Sequence, residues 1–251
     1  MRIFFLIIFI LSFTKGYNQE IINTYEIKKP ITKESIITNW LQSLPDSITT
    51  YIYREVELEN RNGKIVQIGD VDDWTVQLYK IDVRNGYIAS NGYLPGVGTY
   101  SPEEQFTIFR KADGKYLFAY HFLDEYDKVE SKIRFFTLDK TTLFELNPRE
   151  ILPDITIWNF INLNNYNNLK IDYPQIDELL EKMLIVYYLP QTGTSIQVGV
   201  CTLSLNEFSN TYRSLKDKIE ALIGTEWKIN GHKFFGNIEL KWNSQNAKFE
   251  R

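Results

Sequence analysis

One cysteine, Cys201, stands in the whole chain of 251 residues, so no internal disulfide can brace the fold and stability has to come from packing. Histidine is as scarce, with only His121 and His232. The spacings that build zinc centres from cysteine and histidine are missing, and so is His-Glu-x-x-His. Also absent are the nucleophile elbow Gly-x-Ser-x-Gly and the phosphate-cradling Gly-x-x-x-x-Gly-Lys, and nothing names a cofactor. Basic residues do not prevail: 28 Lys and Arg stand against 32 Asp and Glu, a net charge of −4, which argues against nucleic acid as a partner.

Long apolar runs are lacking too. The longest is Ile3 to Leu11, less than half of the roughly 18 to 20 residues a membrane-crossing helix needs, which argues against a stable membrane span. Met1-Arg2 before it and the small polar stretch Ser12 to Gly16 after it give residues 1–16 the layout of a secretory leader, with Thr14 and Gly16 at the recognition positions and Tyr17 as the first exported residue. No Asn-x-Ser/Thr sequon occurs, which fits a bacterial product in the periplasm or outside the cell.

What the chain does contain is turns. Asn62-Gly63, Asn85-Gly86, Asn91-Gly92, Asp113-Gly114 and Asn230-Gly231 each read as a tight hairpin turn, because both turn residues need positive φ and these types reach it most cheaply. The flanks alternate: Phe106 and Ile108, then Tyr116, Phe118 and Tyr120, bracket Asp113-Gly114, and Ile133, Phe135 and Leu143 flank Lys140-Thr141. Such runs are half-buried strands, and from Tyr51 to Leu146 they predict an antiparallel meander of about six to eight. Further hairpins are expected at Pro190 to Gly193, inside Leu189-Pro-Gln-Thr-Gly-Thr194, and at Ser244-Gln245.

Three amphipathic helices interrupt the strands. Ile36, Ile37, Trp40, Leu41 and Leu44 make one stripe, with Thr32 as cap. Ile176, Leu179, Leu180 and Met183 make the second; Phe208, Tyr212, Leu215, Ile219 and Leu222 make the third, opened by the capping box Ser204/Glu207 and closed by Gly224. The fold class is therefore α+β, antiparallel meander-rich sheet with about three helices packed on one side. Asn162 to Asn168, five asparagines in seven residues, reads as a loop or linker between a β-rich region 17–161 and an α+β region 169–251 that can also pack as one domain.

Candidate chemistry is sparse. Cys201 lies in a strand, facing away from Ile196, Val198 and Val200, with no helix start to activate it, so it reads as packed and inert. Asp70, Asp72 and Asp73 form a conceivable cation site, and Asp124, Glu125 and Asp127 a second acidic group expected at a solvated hairpin tip. Aromatic residues make up 15% of the chain. Tyr and Trp join an apolar face to a polar tip, so Tyr87, Tyr93 and Tyr100, near the turns and the Gly92 to Tyr100 loop, together with Trp74, are the candidate ligand-binding residues.

These features favour an exported, non-catalytic binding protein whose partner is a protein or a glycan. A carboxylate hydrolase using His121 and a cation is the alternative, and an envelope structural or assembly protein the third reading.

Overall fold

The computed structural model describes residues 19–27, 57–61, 64–68, 75–93, 103–124, 130–168, 173–202, 210–229 and 232–251. Within them the protein is mostly antiparallel β-sheet with few helices. Strands β4 (Thr75–Asp82), β5 (Tyr87–Tyr93), β6 (Glu103–Arg110), β7 (Tyr116–Asp124), β8 (Glu130–Asp139) and β9 (Thr142–Leu146) form a continuous meander. β1 (Ile21–Glu26) pairs with β9 and completes a seven-stranded sheet in the order β1-β9-β8-β7-β6-β5-β4. β2 (Glu57–Arg61) and β3 (Lys64–Ile68) pair antiparallel as a separate two-stranded sheet, and Asn62-Gly63 lie outside the described residues.

The turn chemistry explains the meander. At Asn85-Gly86 the glycine has φ +66°, and the Asp82 carboxylate accepts from the Asn85 backbone N–H at 3.1 Å and from its Nδ2 at 2.8 Å. Asn91-Gly92 is different: it lies inside β5, paired with Gln77 and Val76 of β4, so the expected turn there is a strand. β4 supplies ladder partners for both residues and β6 a second one for Asn91, and that pairing overrides the local turn preference.

The central strands β6 and β7 are not half-buried. Phe109, Leu117, Ala119 and Phe135 face one side and Phe106, Phe118, Tyr120 and Phe136 the other, and all eight are 2% exposed or less. Both faces of the sheet are core, so alternation in the sequence marks two apolar faces. Asp124, expected on a solvated tip, is likewise buried at the end of β7.

A second sheet holds β10 (Leu184–Tyr188), β11 (Ser195–Cys201), β13 (His232–Asn243) and β12 (Glu226–Ile229) in that order, with β14 (Lys248–Glu250) also on β13. Its edge strand β10 lies against β8 and β7 of the first sheet. One face of the second sheet, with Ile196, Val198 and Leu240, joins the core built on Phe109, Phe135 and Leu146, so residues from both halves of the chain share one apolar cluster. Trp242 fastens this junction: its ring centroid lies 5.4 Å from that of Phe109 and its Nε1 donates to the Arg110 carbonyl at 2.9 Å.

The described helices are α1 (Pro148–Ile151), α2 (Leu163–Asn168), α3 (Tyr173–Glu181) and α4 (Asn210–Ile223). The stripe Ile176, Leu179, Leu180, Met183 is buried along α3 and just past its end, and Ile219 and Leu222 of α4 enter the same core. The capping box Ser204/Glu207 and the helix expected over Ile36 to Leu44 lie outside the described residues. The asparagine-rich stretch, expected as loop or linker, is helical: Asn162 caps α2, its Oδ1 accepting the N–H groups of Asn164 and Asn165 at 3.1 and 3.2 Å. Asparagine at the cap, and Tyr166 packed on the core, hold a turn of helix that composition alone argues against.

Candidate functional site

A groove of about 460 Å³ lies between Lys80, Tyr87 and Gln105 of the first sheet and Tyr188, Gln197 and Glu239 of the second. One wall is the turn joining β10 to β11, made by Leu189 to Thr194. The first sheet holds that turn at three points. The Leu189 N–H donates to Gln105 Oε1 at 2.8 Å, Thr107 Oγ1 donates to the Pro190 carbonyl at 3.4 Å, and Gln191 Nε2 donates to Asp82 Oδ2 at 3.2 Å. Asp82 is thereby an acceptor for two turns at once. The Asn85 amide first, with the Gln191 amide adding to it, holds its carboxyl below the usual carboxylate range.

Polar side chains converge on the groove. Lys80 of β4 enters from one sheet, and Gln197 and Glu239, cross-strand partners on β11 and β13, from the other. Lys80 and Glu239 are exposed, and neither makes an ion pair with any described residue. A lining of amides and hydroxyls with one charge of each sign suits a ligand that offers both donors and acceptors.

Tyr87, one of the expected ligand-binding residues, lines this groove. Its ring is buried, 4% exposed, in the core cluster. Burial, and to a lesser degree the nearby Glu103 carboxylate, push its phenol well above the ordinary range, so it is a neutral group there. Tyr93 ends β5 opposite Thr75, where only its strand position is described. Trp74, Tyr100, Asp70, Asp72 and Asp73 lie outside the described residues, as do Glu125 and Asp127. Among the described residues no group of three or more His, Cys, Asp or Glu side chains is arranged to hold a metal ion.

Behind the groove is a buried polar layer that the sequence did not reveal. Gln105, whose oxygen holds the turn, donates through Nε2 to Glu103 Oε1 at 2.8 Å. Opposite Gln105 on β7 sits His121, fully buried, its Nε2 2.9 Å from Ser131 Oγ and its ring 6.1 Å from that of Tyr188. Burial pulls the imidazole down to about 4 against a weaker opposing pull from Glu103, so it is neutral near pH 7. Cys201 is buried in the cluster of Leu123, Val186, Tyr188 and Phe234, on the face of β11 opposite Ile196 and Val198.

No protein-family model matches the chain, and no curated protein does. Among solved structures, a domain of an uncharacterized protein from Porphyromonas gingivalis W83 is similar at 12% identity over 88% of this chain and 98% of that one, with a TM-score of 0.49.

Proposed function

We propose that this chain is an exported, non-catalytic binding protein that takes a small polar ligand in the groove between its two sheets. The observation that supports this best is the triple fastening of the Leu189 to Thr194 turn, which fixes one wall of the groove before any ligand arrives. The leader-like opening supports the export half of the reading. In the same reading the amphipathic helices gather on the core side of the second sheet and leave its other face to the groove.

The ligand that fits is dipolar, meeting Lys80 through an acceptor and Glu239 through a donor; a peptide segment has this character, whereas a polyanion would meet Glu239 as a like charge. The carboxylate hydrolase alternative, where it draws on His121, needs a side chain that has no exposed surface.

The test is a thermal-shift and calorimetric screen of the purified protein against amino acids, dipeptides and monosaccharides, repeated with Lys80→Ala and Glu239→Gln. Binding by the wild type that both variants weaken supports the groove. Binding indifferent to both variants, or none at millimolar ligand, rejects it.

A further inference from the structure

A second surface, away from that groove, has a different chemistry. Thr156 to Asn168 holds no charged residue, in a chain that is 24% charged. Tryptophan and leucine are exposed there, Trp158 at 46% and Leu163 at 60%. Large apolar side chains on a solvated surface with no charge nearby mark a contact site more often than a structural one.

The indole is braced. Trp158 lies in the 3-10 turn Ile157–Asn159, which is closed at its start by Asn159 Oδ1 accepting the Thr156 N–H at 2.7 Å. Tyr166 of α2 meets the indole edge to face, centroids 5.5 Å apart at 84°, and the Tyr166 hydroxyl is itself held by Asp177 Oδ1 at 2.6 Å. An exposed ring fixed from behind loses little freedom when something stacks on its open side. One helical turn before Tyr166 stand Asn162 and Leu163, on the same side of α2.

Two amides belong to the turns that carry this ring. Asn159 and Asn162 use their carbonyl oxygens to close the two turns, and no described residue accepts from their Nδ2 groups. Asn159 also lines a hollow of about 490 Å³ together with Phe160, Thr225, Trp227, Asn237 and the cationic Arg251. The combination is an apolar plate, neutral donors in the turns that carry it and a mixed polar and apolar recess with one cation next to the plate's own turn.

We propose that Trp158, with Asn159 and Asn162, forms a binding site for a neutral glycan, one sugar ring laying its C–H face on the indole while its hydroxyls meet the asparagine amides. A nucleobase would also stack, but it brings phosphates to a chain with an acidic balance, and the single cation at the recess, Arg251, is too little to receive a row of them. A polyanionic polysaccharide meets the same acidic balance. The inference does not rest on the groove, since the two sites share no residue.

Affinity electrophoresis of the full chain in native gels containing dextran, soluble hydroxyethyl cellulose or glycol chitin, followed by titration with cellohexaose and chitohexaose, tests it. The expected result is retardation by at least one of these neutral polymers. Trp158→Ala should weaken binding about tenfold or more and Trp158→Phe should restore part of it, as for loss and partial return of one aromatic contact. Because Trp158 is half exposed, Trp158→Ala should melt within a few degrees of the wild type, and Lys80→Ala should bind the glycan unchanged. No retardation by any of the neutral polymers would overturn the proposal, and so would binding that survives Trp158→Ala. Trp158-dependent self-association in sedimentation without glycan binding would assign the surface to a second copy of the chain and overturn it equally.

Discussion

Arg134 grips Glu145 with two prongs, Nε to Oε1 at 2.7 Å and a terminal nitrogen to Oε2 at 2.8 Å. The same carboxylate accepts from Asn23 Nδ2 and from the Tyr25 hydroxyl, each at 2.9 Å, and the guanidinium lies 5.9 Å above the Tyr25 ring. β1 is thus joined to β8 and β9 by side chains as well as by its ladder. Burial alone would raise the Glu145 carboxyl, but the bonds from Arg134, Asn23 and Tyr25 outweigh it and hold it below its ordinary value.

Arg134→Met should cost about 2 kcal/mol, since it leaves a nearly buried carboxylate without its cation, while Arg134→Met combined with Glu145→Leu should recover most of that loss. Urea unfolding of the three variants measures this. With the folded value depressed, the stabilisation is present above the unfolded value of 4.5 and is lost as pH falls below that value and through the lower folded one. Losses that simply add in the double variant would show that the pair is not coupled.

His121 produces a second acid sensitivity at higher pH. Its folded value is about 4 and its ordinary one 6.5, so the unfolded chain takes up the proton first. Stability is full above pH 6.5 and should fall by on the order of 3 kcal/mol between pH 6.5 and 4. His121→Gln, which keeps a group able to bond Ser131, should flatten this part of the curve. Denaturant midpoints measured at half-unit steps across the window decide it, and an unchanged slope in the variant rules it out.

Two turn glycines should respond differently to the same change. Gly86, at φ +66°, would push a Cβ into Ile108 Cγ1 and Cδ1, whereas Gly114, at φ +83°, has open space around that position. Gly114→Ala should cost about 1 kcal/mol for backbone strain alone, and Gly86→Ala about 3 kcal/mol for strain and clash together. Adding Ile108→Val should return part of the second loss and none of the first, as read from melting temperatures.

Gln105 links stability to the groove. Gln105→Ala removes the acceptor for the buried Leu189 N–H and should cost about 2 kcal/mol. Amide hydrogen exchange at Leu189 should accelerate in this variant, and any ligand that binds the groove should dissociate faster. Gln105→Glu keeps an acceptor for that amide but sets a second carboxyl against Glu103, so it should also destabilise the protein, the more so as pH rises.

Much of the meander was legible because hairpin turns are decided by two or three adjacent residues: Asn85-Gly86, Asp113-Gly114 and Lys140-Thr141 each stand between paired strands. β1 was not legible, since Ile21 to Glu26 carries no turn signal and its partners, Thr142 to Leu146, are remote in sequence. Asn91-Gly92 misled for the converse reason, a local preference overruled by two flanking strands. Of the groove, Tyr87 and the hairpin turn at Pro190 to Gly193 were within reach of local reasoning. Lys80, that hairpin and Glu239 come from separate segments that the sheet junction alone brings together. Trp158 belongs to no motif, and the one hint of its surface was the run of uncharged, asparagine-rich sequence around it.

The pairing of Ile21 with Leu146 also sets an order of events. Synthesis, and any channel that delivers the amino end first, presents the opening strand long before its mate has emerged. Until then β1 has no ladder partner, and it completes the sheet only once Thr142 to Leu146 have been made. Such late closure favours slow maturation and gives a holding chaperone time to act.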